Sequence, residues 1–190
     1  MIIIKIGGSL YSSSYLKEWC DQLAGIKVPI IIVPGGGPFA DQVRDVDNKW
    51  HLSDNTAHNM AVMGMQQFGC LLININNKLS PLESSNNLFA DKPYVWLPYQ
   101  DLSTECDYPR NWQITSDSLA VWLACKMSAS HLCLVKSAQI DIYSTDQYIS
   151  TELVDSYFSD ATKNYSGQIH FYHASQSQHF ISDINNGKFN

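Results

Sequence analysis

Short apolar runs alternate with stretches of helical period along most of the chain. Ile2–Ile6 is apolar but for one lysine, and 30–33 is apolar throughout. Runs of this length and composition read as strands buried on both faces. Between them Leu16, Trp19, Cys20 and Leu23 recur at i, i+3, i+4 and i+7, which predicts a helix ending at Gly25. A second strand over 28–33 follows within a few residues, so the unit is βαβ, with parallel strands and a right-handed crossover.

The same alternation continues. Pro38 suits the first turn of a second helix carrying Asp41, Val43 and Arg44. Ser53 is an N-cap for a third, with Ala57, Met60, Ala61, Gly64 and Phe68 on one face and Gly69 closing it. Residues 70–73 then read as a strand, 74–92 as an Asn- and Ser-rich surface loop, 94–97 as a strand and 101–111 as a polar connection. Thr115-Ser116-Asp117-Ser118 opens a helix whose Leu119, Ala120, Leu123, Ala124 and Met127 face inward, and 132–135 is a buried strand ended by Lys136. Further on, 140–143 reads as a hairpin arm, 151–164 as a helix and 168–172 as a strand. The pattern predicts one α/β domain, a three-layer αβα sandwich around a mostly parallel central sheet.

Charge narrows the partners. Twelve basic against eighteen acidic side chains among 190 residues give a net charge of −6, without a Lys/Arg cluster. Nucleic acid and anionic membrane surfaces are therefore not expected partners. No apolar run approaches transmembrane length. The five cysteines are widely spaced in mostly apolar patterns, as reduced core residues of a cytoplasmic protein are.

The candidate chemistry lies where the first two strands end. Gly7-Gly8-Ser9 follows one and Gly35-Gly36-Gly37 the other. Glycines let backbone N–H groups close on an anion, and a helix starting after each loop adds the positive end of its dipole. In an open α/β sheet both loops face the crevice at the carboxyl ends of the strands, an arrangement suited to a phosphoryl donor and an acceptor. Neither loop fits the Walker or the dinucleotide pattern. Lys5, inside the first strand, brings a full positive charge.

Lys5-Ile6-Gly7-Gly8-Ser9, Pro34-Gly35-Gly36-Gly37 and Thr115-Ser116-Asp117-Ser118 together resemble, in order and in role, the motifs of the amino acid kinase family. The segments around Trp50-His51-Leu52-Ser53-Asp54, Ala57-His58, Trp96-Leu97-Pro98-Tyr99 and Trp112–Ala124 resemble more narrowly a short branch acting in methanofuran biosynthesis. The resemblance implies a cytoplasmic homo-oligomer that uses ATP and Mg2+ to phosphorylate a small phosphate, aminomethyl-furanylmethyl phosphate in that branch. It implies Lys5 and Asp117 as catalytic residues, with Asp117 orienting the lysine. Gly7, Gly8, Ser9, Lys136 and Asp141 would serve the nucleotide, and Gly35, Gly36, Gly37, Arg44, Asp54 and Ser116 the acceptor. Residues 1–125 would form the acceptor side and 126–190 a reduced nucleotide side. The sequence departs from the family in having no second Gly-rich lysine motif after Lys136. Isopentenyl phosphate, uridylate and acidic amino acids are alternative acceptors for such a fold, and a non-catalytic anion or nucleotide binder is the alternative of another class. Tryptophans 50, 96 and 112 are candidates for an aromatic wall, and Asp54, then Asp41, for meeting an ammonium group.

Overall fold

The computed structural model describes residues 1–87, 92–104, 107–139 and 153–189. Six strands form an all-parallel sheet: β1 (Ile2–Ile6), β2 (Ile30–Pro34), β3 (Ser80–Leu82), β4 (Tyr94–Trp96), β5 (His131–Lys136) and β6 (Gln168–His173), in spatial order β3-β4-β2-β1-β5-β6. β1 lies at the centre, where its isoleucines are covered on both faces, as its unbroken apolar pattern requires.

Strand alternation divides the core in two. Ile3, Ile31, Val33, Leu132 and Leu134 face one layer, built from helix α5 (Ser116–Lys126) and the short α6 (Phe158–Thr162). Ile2, Ile4, Ile6, Cys133 and Val135 face the other, built from α1 (Tyr15–Ala24) and the C-terminal α7 (Ser177–Asn185). Trp19 anchors the second layer: it is fully buried, and its indole N–H donates to the Ala174 carbonyl at 2.6 Å. The period of two matters for the site as well. Lys5 is level with Leu134 in the β1–β5 ladder, so Lys136, two residues further on, projects on the same face as Lys5.

Helices α2 (Gly37–Trp50), α3 (Asp54–Ile75) and α4 (Tyr99–Thr104) complete the fold. Ser53 caps α3, its hydroxyl accepting from the Thr56 N–H at 3.3 Å. The expected end of that helix at Gly69, and the strand over 70–73, are not found: α3 continues through both to Ile75. Gly69 serves close packing here, not termination. A Cβ on it would lie 2.9 Å from Leu97 Cδ2, and one on Gly64 would lie 2.9 Å from the Ala40 backbone nitrogen. The two glycines let α3 pass tightly over the sheet edge and over α2.

Other expectations are corrected too. The stretch 74–92 contains an edge strand, β3, and not loop alone, and 101–111 begins within α4. Asp101 explains both: its buried carboxylate accepts from the Ser84 hydroxyl, the Ser85 N–H and the Trp96 indole N–H, so β3, β4 and α4 share one acceptor. The helix expected over 151–164 is confined to Phe158–Thr162 among the described residues. Cys70 is exposed, whereas Cys20 and Cys133 are buried. The arm expected over 140–143 and Cys106 lie outside the described residues.

Candidate functional site

The two glycine loops touch at the carboxyl edge of the sheet. A Cβ on Gly35 would lie 2.3 Å from the Gly8 nitrogen, and one on Gly8 only 2.4 Å from the Gly37 nitrogen. Gly37 adopts φ of +54°, a left-handed conformation that glycine reaches without a Cβ penalty, and α2 starts there with Pro38 in its first turn. The loop after β1 runs into a 3-10 turn, Gly8–Ser12, ahead of α1.

The loops differ in which N–H groups they leave for a ligand. Gly7 N–H donates to the Val135 carbonyl at 3.0 Å, and Gly35 N–H to the Ile6 carbonyl at 2.8 Å. Those two glycines therefore fix the loops against the sheet. Gly8, Ser9, Gly36 and Gly37 line a cavity of about 260 Å³ together with Lys5, Arg44, Ser116 and Asp117.

Asp117 lies at the cavity's inner wall. Thr115 is the N-cap position of α5, which puts Asp117 in the first turn, yet its side chain does not cap the helix. It is clamped by two ammonium groups, Lys5 Nζ at 2.7 Å from Oδ1 and Lys136 Nζ at 2.7 Å from Oδ2. Burial would raise the Asp117 carboxyl, but Lys136 and then Lys5 outweigh it and hold it at about 2. Burial lowers Lys136 to about 8 despite its bond to Asp117, with Lys5 adding like-charge repulsion. Two buried cations against one carboxylate leave a surplus positive charge beside the glycine loops, the electrostatics of an anion site.

The capping of α5 comes from elsewhere. Asp155 accepts from the N–H groups of Thr115 and Ser118, each at 3.0 Å, and from the Thr115 hydroxyl at 2.9 Å. Burial, followed by the nearby Asp117 charge, raises the Asp155 carboxyl. Sequence pattern missed this residue because its partners lie some forty positions away, and Thr115 is itself of a residue type that caps helices.

The far wall is built on α2 and on the segment before α5. Arg44 pairs with Asp41 at 2.8 Å, and its guanidinium lies 4.9 Å from the Trp112 ring centroid. The Trp112 indole N–H donates to Asp47 at 2.7 Å, and Asp47 also accepts the Leu52 N–H where α2 ends. Of the three tryptophans considered, Trp112 lines the cavity. Trp96 is fully buried and stacked on Trp122, and Trp50 is 68% exposed. Asp54 is exposed at the start of α3, away from the cavity lining, whereas Asp41 is part of it. Lys136 reaches the site through Asp117, and Asp141 lies outside the described residues. His58, buried on α3, joins the lining.

Ser9 adds a link to the loop after β5 and to the end of β6. Its hydroxyl lies 2.7 Å from that of Ser137, and the Ser137 carbonyl lies 3.2 Å from His173 Nε2. Among the described residues no group of three or more His, Cys, Asp or Glu side chains is arranged to hold a metal ion, and no helix is long and apolar enough to cross a membrane.

Comparison with known proteins adds three results. The sequence profile of the amino acid kinase family matches residues 1–81. A curated relative, the [5-(aminomethyl)furan-3-yl]methyl phosphate kinase of Methanocaldococcus jannaschii, is 30% identical over 132 residues, which make up 65% of this chain and 59% of that protein. Solved structures share the fold: uridylate kinase from Archaeoglobus fulgidus superposes with a TM-score of 0.70 at 13% identity, covering 97% of this chain and 95% of that one. UMP kinase from Ureaplasma parvum gives 0.68 at 16% identity, covering 98% and 95%. In fold the chain is similar to these uridylate and UMP kinases, and over residues 1–81 its sequence is similar to the amino acid kinase family.

Proposed function

We propose that this protein is an ATP-dependent kinase that transfers a phosphoryl group to a small phosphate, with aminomethyl-furanylmethyl phosphate as its acceptor. The observation that carries the proposal is Asp117 clamped between Lys5 and Lys136 where the two glycine loops meet. A phosphate acceptor attacks through an oxygen that is already anionic near neutral pH, so the site needs no strong base. It must instead bring two anions together and neutralise the charge they develop.

Each residue has a part in that. Lys5, held by Asp117, bridges the donor and the transferred group, while the Gly8 and Ser9 loop cradles the donor phosphates. Gly36, Gly37 and Ser116 take the acceptor phosphate, with Arg44 placed for a charge-assisted contact. Gly7 and Gly35 hold the two loops together, and Lys136 and Asp141 belong to the nucleotide side. Mg2+ would arrive with ATP, bound chiefly by phosphates and water. The furan ring would lie on Trp112, whose orientation Asp47 and Arg44 fix.

The choice of acceptor rests on the 30% identical relative, together with a cavity that pairs an aromatic wall with a phosphate cradle. A homo-oligomer in the cytoplasm completes the proposal. Incubation with ATP, Mg2+ and a panel of acceptors tests it: ADP should form fastest with the aminomethyl-furan phosphate, and slowly or not at all with isopentenyl phosphate, uridylate, glutamate or aspartate. Faster turnover of another phosphate would remove the acceptor assignment and leave the kinase. ATP binding that no acceptor converts into ADP release would favour a binding protein.

A further inference from the structure

His58 stands in the second turn of α3, 5% exposed, and its ring lines the cavity beside Arg44 and Trp112. Its Nε2 is buried without a hydrogen-bond partner. A buried nitrogen left in that state costs free energy that a ligand can recover. The ring's other hydrogen bond goes to the Asn111 backbone and favours the protonated ring, so the ring donates there to a carbonyl. In a neutral imidazole with one nitrogen donating, the second is a bare acceptor. Burial, and after it the Arg110 charge, lowers the pKa of the ring and keeps it neutral near pH 7.

Its place along α3 sets the scale of the ligand. A Cβ on Gly37 would lie 3.6 Å from the Phe68 ring, so Phe68 marks the level of the acceptor loop on α3. His58 lies ten residues earlier on the same helix, about 15 Å along the axis. A phosphate on Gly36 and Gly37 thus leaves room for at least one small ring before the far end of the molecule meets His58.

We propose, on the reading that the chain phosphorylates a small phosphate, that His58 is a specificity-determining residue whose Nε2 accepts a hydrogen bond from an amine or ammonium at the end of the acceptor opposite its phosphate. A carboxylate or second phosphate there would face a lone pair at Nε2 instead of a donor. An aminomethyl group supplies the donor, and the exposed Asp54, the earlier candidate for this contact, is not needed.

Two acceptors test this: aminomethyl-furanylmethyl phosphate and the same molecule with a methyl group in place of the aminomethyl. The wild-type protein should prefer the amine by about tenfold in kcat/KM, mostly through KM, which is what one hydrogen bond supplies. His58→Phe should abolish the preference by raising KM for the amine alone, and His58→Gln, whose amide oxygen can accept, should restore part of it. Equal use of both compounds by the wild type overturns the proposal, and so does an equal loss on both in His58→Phe. The wild-type comparison decides the matter if the Phe variant does not fold. If neither compound is turned over, the kinase reading fails separately. Calorimetric titration of the two compounds then judges His58 by itself, with equal affinity overturning its role.

Discussion

Lys136 Nζ donates to both carboxylate oxygens of Asp117, each at 2.7 Å, from the strand beside the one that carries Lys5. The parallel register makes this possible, since Lys5 and Lys136 share a face of the sheet one pleat apart and α5 lowers Asp117 between them. Lys136 thus stands as a second buried cation beside Lys5.

Proton uptake on nucleotide binding should follow. Burial lowers Lys136 to about 8, and a bound polyphosphate would push it back up. At pH 8.5, ATP binding should therefore take up protons, seen as a buffer-dependent calorimetric enthalpy that Lys136→Met removes. Enthalpies independent of the buffer would refute this. The stability linkage has two windows. Between about 8 and 10.5 the unfolded chain binds more protons at Lys136 than the folded one, so this group's contribution to stability rises with pH there. Asp117 acts in the acid range, its contribution present above 3.8 and lost as the pH falls through about 2.

Lys5→Ala should lower turnover on the order of a hundredfold or more, because the charge acts on the transferring phosphoryl group. Folding should survive, since Asp117 keeps Lys136 as partner. Asp117→Asn is different: it leaves two buried ammonium groups without a counter-charge, a cost on the order of 3 kcal/mol, offset in part by deprotonation of Lys136. The Asn variant should melt earlier and regain more of its Tm from ATP than the wild type does. Thermal melts with and without nucleotide check both statements.

The glycines divide into tight and tolerant positions. Gly35→Ala places a methyl 2.3 Å from the Gly8 nitrogen, which forces the loops apart and should cost about 1–3 kcal/mol along with most turnover. Gly25→Ala at the end of α1 meets nothing nearer than 3.4 Å, with φ of −90°, and should be neutral or slightly stabilising. Equal losses in the two variants would contradict the close approach of the loops.

What could be read from the sequence divides along the same physical line. The strands β1, β2 and β5, the cap at Ser53 and the glycine loops are local signals, carried by runs of isoleucine or by one residue's own chemistry. The continuation of α3 through Gly69 was not legible, because that glycine answers to Leu97 and Trp96 across the fold and not to its helix. Asp101 fell in an expected polar connection and Asp155 in an expected helix, since nothing adjacent shows that Trp96 or the first turn of α5 will close over them. Tryptophan identity likewise did not separate Trp112, held at the cavity by Asp47, from the core residue Trp96.

Asp155→Ala should destabilise the protein by about 2 kcal/mol, because the Thr115 and Ser118 N–H groups lose their shared acceptor at the start of α5. Asp155→Asn should retain most of the stability, as Asn caps nearly as well. Denaturant unfolding of both variants measures this, and an Ala variant as stable as wild type would exclude the capping role.

Phosphorus NMR of the reaction mixture tests the central claim most directly. With ATP, Mg2+ and aminomethyl-furanylmethyl phosphate, the acceptor's single phosphate resonance should give way to two mutually coupled diphosphate signals as ADP appears, and Lys5→Ala should suppress them. The corresponding furan alcohol should give no product, since the site offers no evident base for its hydroxyl proton. An unchanged acceptor resonance under conditions where ATP and acceptor both bind, or hydrolysis to inorganic phosphate alone, would contradict phosphoryl transfer at this site.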